Sequence, residues 1–557
     1  MRRNASVASL CALAAGIGSS LFLAFLPGCK SAAAQRAQAD KEVYELVAAR
    51  RAKLGFDGAE FTIDPPKDSL RARILAGDAH GSGPLKLPQV LEIAGENSRD
   101  YRAQREKLYL AALDLTLERW QFKLQRTGEL DAGVAGTGDT AETASAGGSF
   151  GLSKLLGSGA NIALDIGAGM ARSLTFQDGW HVGTNLGLSV TQPLLRGFGK
   201  RIVMEPLTQA ERNLVYAVRA YERYRHTYAV DLATRYWRLL QSMNTVQNQE
   251  RNLKSVQALS EENIAKAKAG RLSDIEVGQA HQQELTSQNA LIDAQARLAT
   301  ALDDLKLFLG LPVQFDLEID TNALEELSQQ ALGDELPEEL VLPFALTHRL
   351  DHLTVLDQFD DRKRKVVVAA DQLRSGLTLA ANAGVASADG KPLDYDFSQT
   401  TWSATLSWQL PIDLLPQRND YRKSIIDLES AARACEASHD TIEADLRDEL
   451  RTMHSQREGY RIQQSAVSLA ERRSASTDMN KAAGRANTRD ALEAQDALLQ
   501  ARNSATSALI DYTLARLAVW RDLEILRVDK DGIHADEDAL QHPDAGGAEA
   551  GQKPAGG

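Results

Sequence analysis

Cysteine is nearly absent: three residues in 557, at positions 11, 29 and 435. They cannot supply a disulfide framework, even in an oxidising compartment. Proline is scarce at 15 residues and aromatics reach only 6%. With Ala, Leu, Gln, Glu and Arg abundant, this favours long helices over an all-β or α/β enzyme. The formal charge of −13 comes with no basic block, so the electrostatic footprint of a nucleic-acid binder is missing. Long apolar runs are lacking too, apart from Leu10 to Leu26, which is too short and too interrupted by Gly and Ser for a comfortable membrane span.

That one apolar stretch reads as an export signal. Arg2 and Arg3 supply its charged start, and Leu26-Pro27-Gly28-Cys29 resembles the lipobox of bacterial lipoproteins, in which the Cys becomes the lipidated first residue. Cleavage after Ala32-Ala33-Ala34 is the ordinary alternative. Residues 1–28 are therefore expected to be a signal peptide and Cys29 the lipidation site, with 29–84 a polar tether. Loss of two arginines and no acids takes the mature charge from −13 to −15. Lys30 after the Cys suits onward sorting to the outer membrane. Cys435, alone in a helical stretch, reads as a small core residue.

What the chain does have is a strand-to-helix junction that occurs twice. Leu186 to Thr191 alternates apolar with small or polar residues, stops at Gln192-Pro193 and, after Gly197, enters a very long helical pattern. Trp402 to Leu410, followed by Pro411-Ile412-Asp413, repeats the arrangement. The second strand places Trp402, Ala404, Leu406, Trp408 and Leu410 on one face, and Ser403, Thr405, Ser407 and Gln409 on the other. This is the lipid-out, water-in dyad of a transmembrane strand, with Trp402 and Trp408 suited to interfacial girdles. Ile162 to Ala168 and Leu377 to Ala383 give two more strands, making four. The run 128–136 alternates weakly and continues into a low-complexity Ala/Gly/Ser/Thr stretch, read as a strand extension or a loop.

The body is an internal duplication. Ala94 to Asp100 is echoed by Ala345 to Asp351, the junctions at Pro193 and Pro411 pair, and Ala269-Gly270-Arg271 matches Ala483-Gly484-Arg485. The first repeat is expected over 85–312, an equatorial linker over 313–342, the second repeat over 343–527 and a disordered tail over 528–557. After Pro206 apolar residues at 207, 210, 214, 217, 221, 224 and 228 alternate three and four apart, a coiled-coil seam. A helix from 206 to 268 would reach roughly 90 to 100 Å. Helices on both sides of each hairpin require an even number of crossings. Four strands cannot close a barrel, and open edges do not survive in lipid, so the chain must oligomerise.

Gln192-Pro193-Leu194-Leu195-Arg196-Gly197, Ala233-x-x-Tyr236-Trp237, Ala269-Gly270-x-x-Ser273-x-x-Glu276-Val277 and the doubled architecture resemble the TolC family of outer-membrane efflux proteins, over about Leu87 to Arg527. The resemblance implies an α+β membrane protein: a homotrimer with a twelve-stranded β-barrel, four strands per chain, continued by a periplasmic helical tunnel. It also implies an exit duct in outer-membrane lipid, working with a periplasmic adaptor protein and an inner-membrane pump or ABC transporter. The two helical turns would be the adaptor-contact tip, through Gly270, Arg271, Leu272, Ser273, Gly484, Arg485, Asn487 and Thr488. Asp490 and Glu493, one helical turn apart, match the positions of the family's acidic gate rings, with Glu276 a weaker counterpart.

Enzyme readings fail on the residues. Gly197-Phe198-Gly199-Lys200 lacks the order of a phosphate loop, and its glycines suit the chain's exit from the barrel. His348 and His352 have no accompanying carboxylate or Cys motif for a metal, and no cofactor is expected. The alternative from another class is a lipid-anchored periplasmic coiled-coil structural or adaptor protein without a pore.

Overall fold

A computed structural model describes residues 31–56, 61–78, 83–136, 142–173, 179–329, 336–529, 532–536 and 540. The signal peptide and Cys29 lie outside the described residues. Four helices come first: α1 (Ala32–Lys53), α2 (Leu70–Ala76), α3 (Leu87–Asn97) and α4 (Arg99–Gln121). Strands β1 (Gln125–Gly136), β2 (Glu142–Leu155), β3 (Asn161–Ser173) and β4 (His181–Pro193) follow, then the short α5 (Lys200–Val203) and the hairpin of α6 (Glu205–Lys268) and α7 (Asp274–Phe308). Next come α8 (Asn322–Gln329), α9 (Glu338–His348), α10 (Leu350–Asp371), β5 (Gly376–Ala386) and β6 (Thr401–Gln409). A second long hairpin, α11 (Leu415–Ala482) and α12 (Thr488–Asp522), leads to the small β7 (Leu526–Asp529) and β8 (Gly532–Ala535).

The duplication is plain in this order. Helix pairs α3/α4 and α9/α10 break at Ser98 and Arg349, where the echoed sequences lie. The long helices α6 and α11 contain 64 and 68 residues, each about 100 Å at 1.5 Å per residue. Most of the core is equatorial, where Tyr236, Leu239 and Leu240 of α6 meet Leu305 and Leu309 at the end of α7, Leu446 of α11 and Ile510 and Leu523 from the end of α12. The linker 313–342 contributes Phe315, Leu317, Ile319 and Leu327 to the same core.

Three expectations need correction. The sheet has six strands rather than four, in the order β1-β2-β3-β4-β5-β6, every neighbouring pair antiparallel. The stretch read as an extension or loop forms the β1–β2 hairpin, whose ladder runs from Gln125 opposite Ser153 to Gly136 opposite Glu142. Backbone pairing does not need the strong side-chain alternation that a sequence reading relies on. A total of twelve strands in three copies therefore no longer follows. The segment 29–84 is not a plain tether either: α1 buries Val43 and Val47 against Leu108 and Ala112 of α4 and Leu214 and Val218 of α6. Finally, chain order runs past Arg527, because β7 and β8 pair and Gly532 meets Pro88 at the start of α3.

Candidate functional site

The sheet is two-faced from edge to edge. Along one row, Leu152 of β2 lies opposite Leu164 of β3, then Leu188 of β4, Ala383 of β5 and Trp402 of β6. Another row carries Phe150, Ile166, Leu186 and Val385. Rows between them are polar or small: Thr127, Gly151, Asp165, Gly187, Gly384 and Thr401 line up, as do Glu129, Ser149, Gly167 and Asn185. The period of two puts every apolar residue of these rows on one face. Leu130, Val134, Leu406, Trp402 and Trp408 on that face are exposed, Trp402 at 79%. A large apolar face bare to water is untenable, whereas against lipid it is the normal outer wall of a barrel. Trp402 and Trp408 lie near opposite ends of β6.

On the polar face, side chains lie flat over glycines of the next strand. Asp131 covers Gly147, Asn185 covers Gly167, and a Cβ placed on Gly151 would come within 2.6 Å of Thr127 Oγ1 and 3.1 Å of Asp165 Oδ1. These glycines leave room for polar groups to fold against the sheet instead of standing away from it. Glu129, Asp131 and Asp165 give this face a negative bias.

At the first junction, Pro193 closes β4 opposite Thr378, and Leu194 N–H donates to the carbonyl of Leu377 at 2.7 Å. Gly197 takes φ +78°, a conformation suited to glycine. Its N–H donates to Asp371 Oδ2 at 2.7 Å, and Asp371 is 4% exposed. Asp371 is a residue the sequence reading missed, because nothing in its local pattern marks a partner 174 positions away. The second junction is looser: Pro411 and Ile412 lie in an exposed connection, and Asp413 accepts the N–H of Leu415 at 2.9 Å to start α11.

At the far end of the helices are the two turns. Gly270 and Gly484 take φ of +70° and +71°, and each turn is followed by a capping box. Ser273 N–H donates to Glu276 Oε2 at 3.3 Å, and Glu276 N–H donates to Ser273 Oγ at 3.4 Å. In the second repeat, Asn487 N–H donates to Asp490 Oδ2 at 3.0 Å, and Asp490 N–H donates to Asn487 Oδ1 at 2.9 Å. Glu276 and Asp490 therefore occupy equivalent places and both hold the starts of their helices. Glu493 is exposed and accepts from Arg489 Nε at 3.0 Å, with Arg473 at 3.9 Å. Gly270, Arg271, Ser273, Gly484, Arg485 and Asn487 are exposed and Leu272 half-buried. Thr488 differs: it is 1% exposed, and its hydroxyl accepts from Asn263 Nδ2 at 3.0 Å. It ties α12 to α6 rather than facing outward. Lys481 bridges α11 to Glu262 of α6 at 2.9 Å, and hydrogen bonds from Lys266 and Lys481 hold Glu262 below the usual carboxylate range.

Of the other candidates, His352 is buried and bonds Ser438 at 3.0 Å, while His348 stacks on Phe344. Among the described residues no cluster of His, Cys, Asp and Glu could hold a metal ion. No described helix is long and apolar enough to cross a membrane.

A sheet with one lipid-compatible and one polar face continues from both halves into helices about 100 Å long. Residues 158–311 match the family model described as outer membrane efflux protein. The chain's fold is similar to that of solved outer-membrane channels. OprN is 16% identical with a TM-score of 0.58, covering 78% of this chain and 89% of that one. CmeC of Campylobacter jejuni is 15% identical with a TM-score of 0.57, covering 89% and 98%. VceC of Vibrio cholerae is 16% identical with a TM-score of 0.57, covering 78% and 95%. No curated protein sequence matches the chain.

Proposed function

We propose that this chain is the outer-membrane exit duct of a tripartite efflux or type I secretion system. It works as a homotrimer, lipid-anchored through Cys29, with the sheet in the outer membrane and the helical hairpins reaching through the periplasm of a Gram-negative cell. A periplasmic adaptor docks on the exposed tip residues Gly270, Arg271, Leu272, Ser273, Gly484, Arg485 and Asn487, and an inner-membrane pump or ABC transporter loads the duct. The observation that carries the reading is the unbroken two-faced sheet fused to the two long hairpins. Exposed apolar residues on α11, among them Leu415, Ile426, Ile462 and Leu469, suit burial against neighbouring copies.

The gate assignment is narrower than the residues first suggested. Asp490 and Glu276 serve their own helix caps, and Glu493 is the acid of the three that belongs to no cap. Arg489 and Arg473 beside it moderate the repulsion that three copies would develop. The duct reading is tested by fractionation: the protein should leave the outer membrane as an oligomer that survives detergent and falls apart on heating. A soluble periplasmic monomer would instead favour the pore-free coiled-coil lipoprotein.

A further inference from the structure

Resting on the duct reading, we infer that the β1–β2 hairpin is part of the barrel wall, so that three copies enclose eighteen strands and join through a seam between β6 of one copy and β1 of the next.

Three observations carry this. First, β1 and β2 share the faces of the other strands: Leu130 and Phe150 fall on the apolar side, Glu129 and Asp131 on the polar side, in rows continuous with β3 and β4. A hairpin lying in the lumen or hanging from the rim would have no reason to keep that phase. Second, the turn that joins β2 to β3 is fastened to the barrel-to-helix junction. The Ser158 carbonyl accepts from Gly199 N–H and Gln192 Nε2, each at 3.2 Å, and a Cβ on Gly159 would come within 2.8 Å of the Gly197 carbonyl. The hairpin is thereby held at the level where the other strands begin.

Third, the sheet already has the slope of a closed barrel. Gln125 pairs with Ser153, two residues short of the end of β2; Leu155 pairs level with Asn161. Asn161 pairs with Thr191, Pro193 with Thr378 and Gly376 with Gln409, which adds four more residues of offset. Six residues of stagger over five strand spacings, at about 3.3 Å per residue and 4.8 Å per strand, is a tilt of about 40°, inside the 35–45° range of barrels. At that tilt eighteen strands give a backbone diameter of roughly 36 Å, against roughly 24 Å for twelve.

The occupant of the open edges is a second copy of this chain. Neither β1 nor β6 has an outer neighbour among the described residues, and bare strand edges are not tolerated in lipid. Six strands per chain put β6 antiparallel to the next β1. A closing offset of zero or two residues, in the sense of the steps inside the sheet, sets Thr405 opposite Glu129 or Asp131. An odd offset would turn polar residues onto the lipid.

The test uses the full-length protein with its free Cys435 replaced by Ser and Cys29 kept for its lipid. It is read only in material that behaves as a heat-modifiable outer-membrane oligomer; failure to reach that state overturns the duct reading and the seam together. Oxidation of Thr405→Cys paired with Glu129→Cys or Asp131→Cys should convert most of the monomer band to covalent dimers and trimers. Thr405→Cys paired with Asp165→Cys on β3 should remain monomeric. The reverse pattern, or no cross-link in either set, overturns the proposal while the duct stands. Independently, a fluorophore on Leu130→Cys should be quenched by phosphatidylcholine brominated on its acyl chains, and one on Asp131→Cys only by a water-soluble quencher. Equal quenching from water at both sites would also remove the hairpin from the wall.

Discussion

Glu222→Ala should release the N-terminal helix from the body of the protein. Glu222 is 2% exposed; its Oε1 lies 2.7 Å from Arg51 Nε and its Oε2 2.6 Å from Arg225 Nη1. Arg51 is itself 7% exposed and sits near the end of α1, whose other buried residues are Val43 and Val47. Removing the carboxylate takes the Glu222 partner from a buried guanidinium, a loss of up to about 3–5 kcal/mol. Arg225, more exposed, can turn to water. The global fold keeps its equatorial core, so α1 opens locally rather than the chain unfolding. At about 1.4 kcal/mol per factor of ten, local opening rises by up to about 150- to 5,000-fold. Hydrogen exchange of amides 43–52 in the detergent-solubilised oligomer should lose protection by that factor, with amides 236–240 in the equatorial core unchanged. Glu222→Gln, which keeps an uncharged acceptor, should fall between the two. Protection of α1 unaltered in Glu222→Ala would refute the view that this pair docks the helix.

Other positions are equally open to test. Gly310 takes φ +73°, and a Cβ there would collide with the carbonyl oxygen of Asn97, so Gly310→Ala should lower the apparent Tm by an amount matching about 2 kcal/mol or more. Burial and the neighbouring Asp522 raise the Glu449 carboxyl to about 7, so its neutral form is favoured in the folded state. The resulting stability is full below pH 4.5 and is lost as pH rises through 7. Glu449→Gln should therefore flatten the decline in apparent Tm between pH 5 and 8 and raise Tm at pH 8, by the equivalent of about 2 kcal/mol; an unchanged slope would count against a neutral Glu449. Asp371→Ala removes the acceptor of the Gly197 N–H, and exchange at Gly197 should speed up at least about tenfold, in keeping with about 1–3 kcal/mol for a buried donor left alone.

Strong periodicity was readable and weak periodicity was not. The echo of Ala94–Asp100 in Ala345–Asp351 located both helix breaks, and the seam after Pro206 located a helix of 64 residues. Four of the six strands carry Leu, Ile, Val or Trp at alternate positions and were found. The β1–β2 hairpin was missed because residues 142–149 are almost all Ala, Gly, Ser and Thr, which distinguish the two faces poorly; only its register with β3 shows the phase. Helix α1 was read as tether because its burial rests on two valines and a paired arginine, a combination that resembles a solvated segment. At the tip, the spacing of Asp490 from Asn487 fits a capping box as well as an acidic ring. Sequence cannot separate them, since both put a carboxylate in the first turn of a helix.

Single-channel recording of the extracted protein in a planar bilayer tests the central claim most directly, comparing the natural chain with Glu493→Gln, which spares the Asp490 cap. The account predicts discrete cation-selective channels, given the acids at both the tip and the polar face of the sheet, with larger and less selective currents in the variant. Discrete channels insensitive to the substitution would keep the duct and remove the gate. An oligomer that inserts and never conducts would contradict the account.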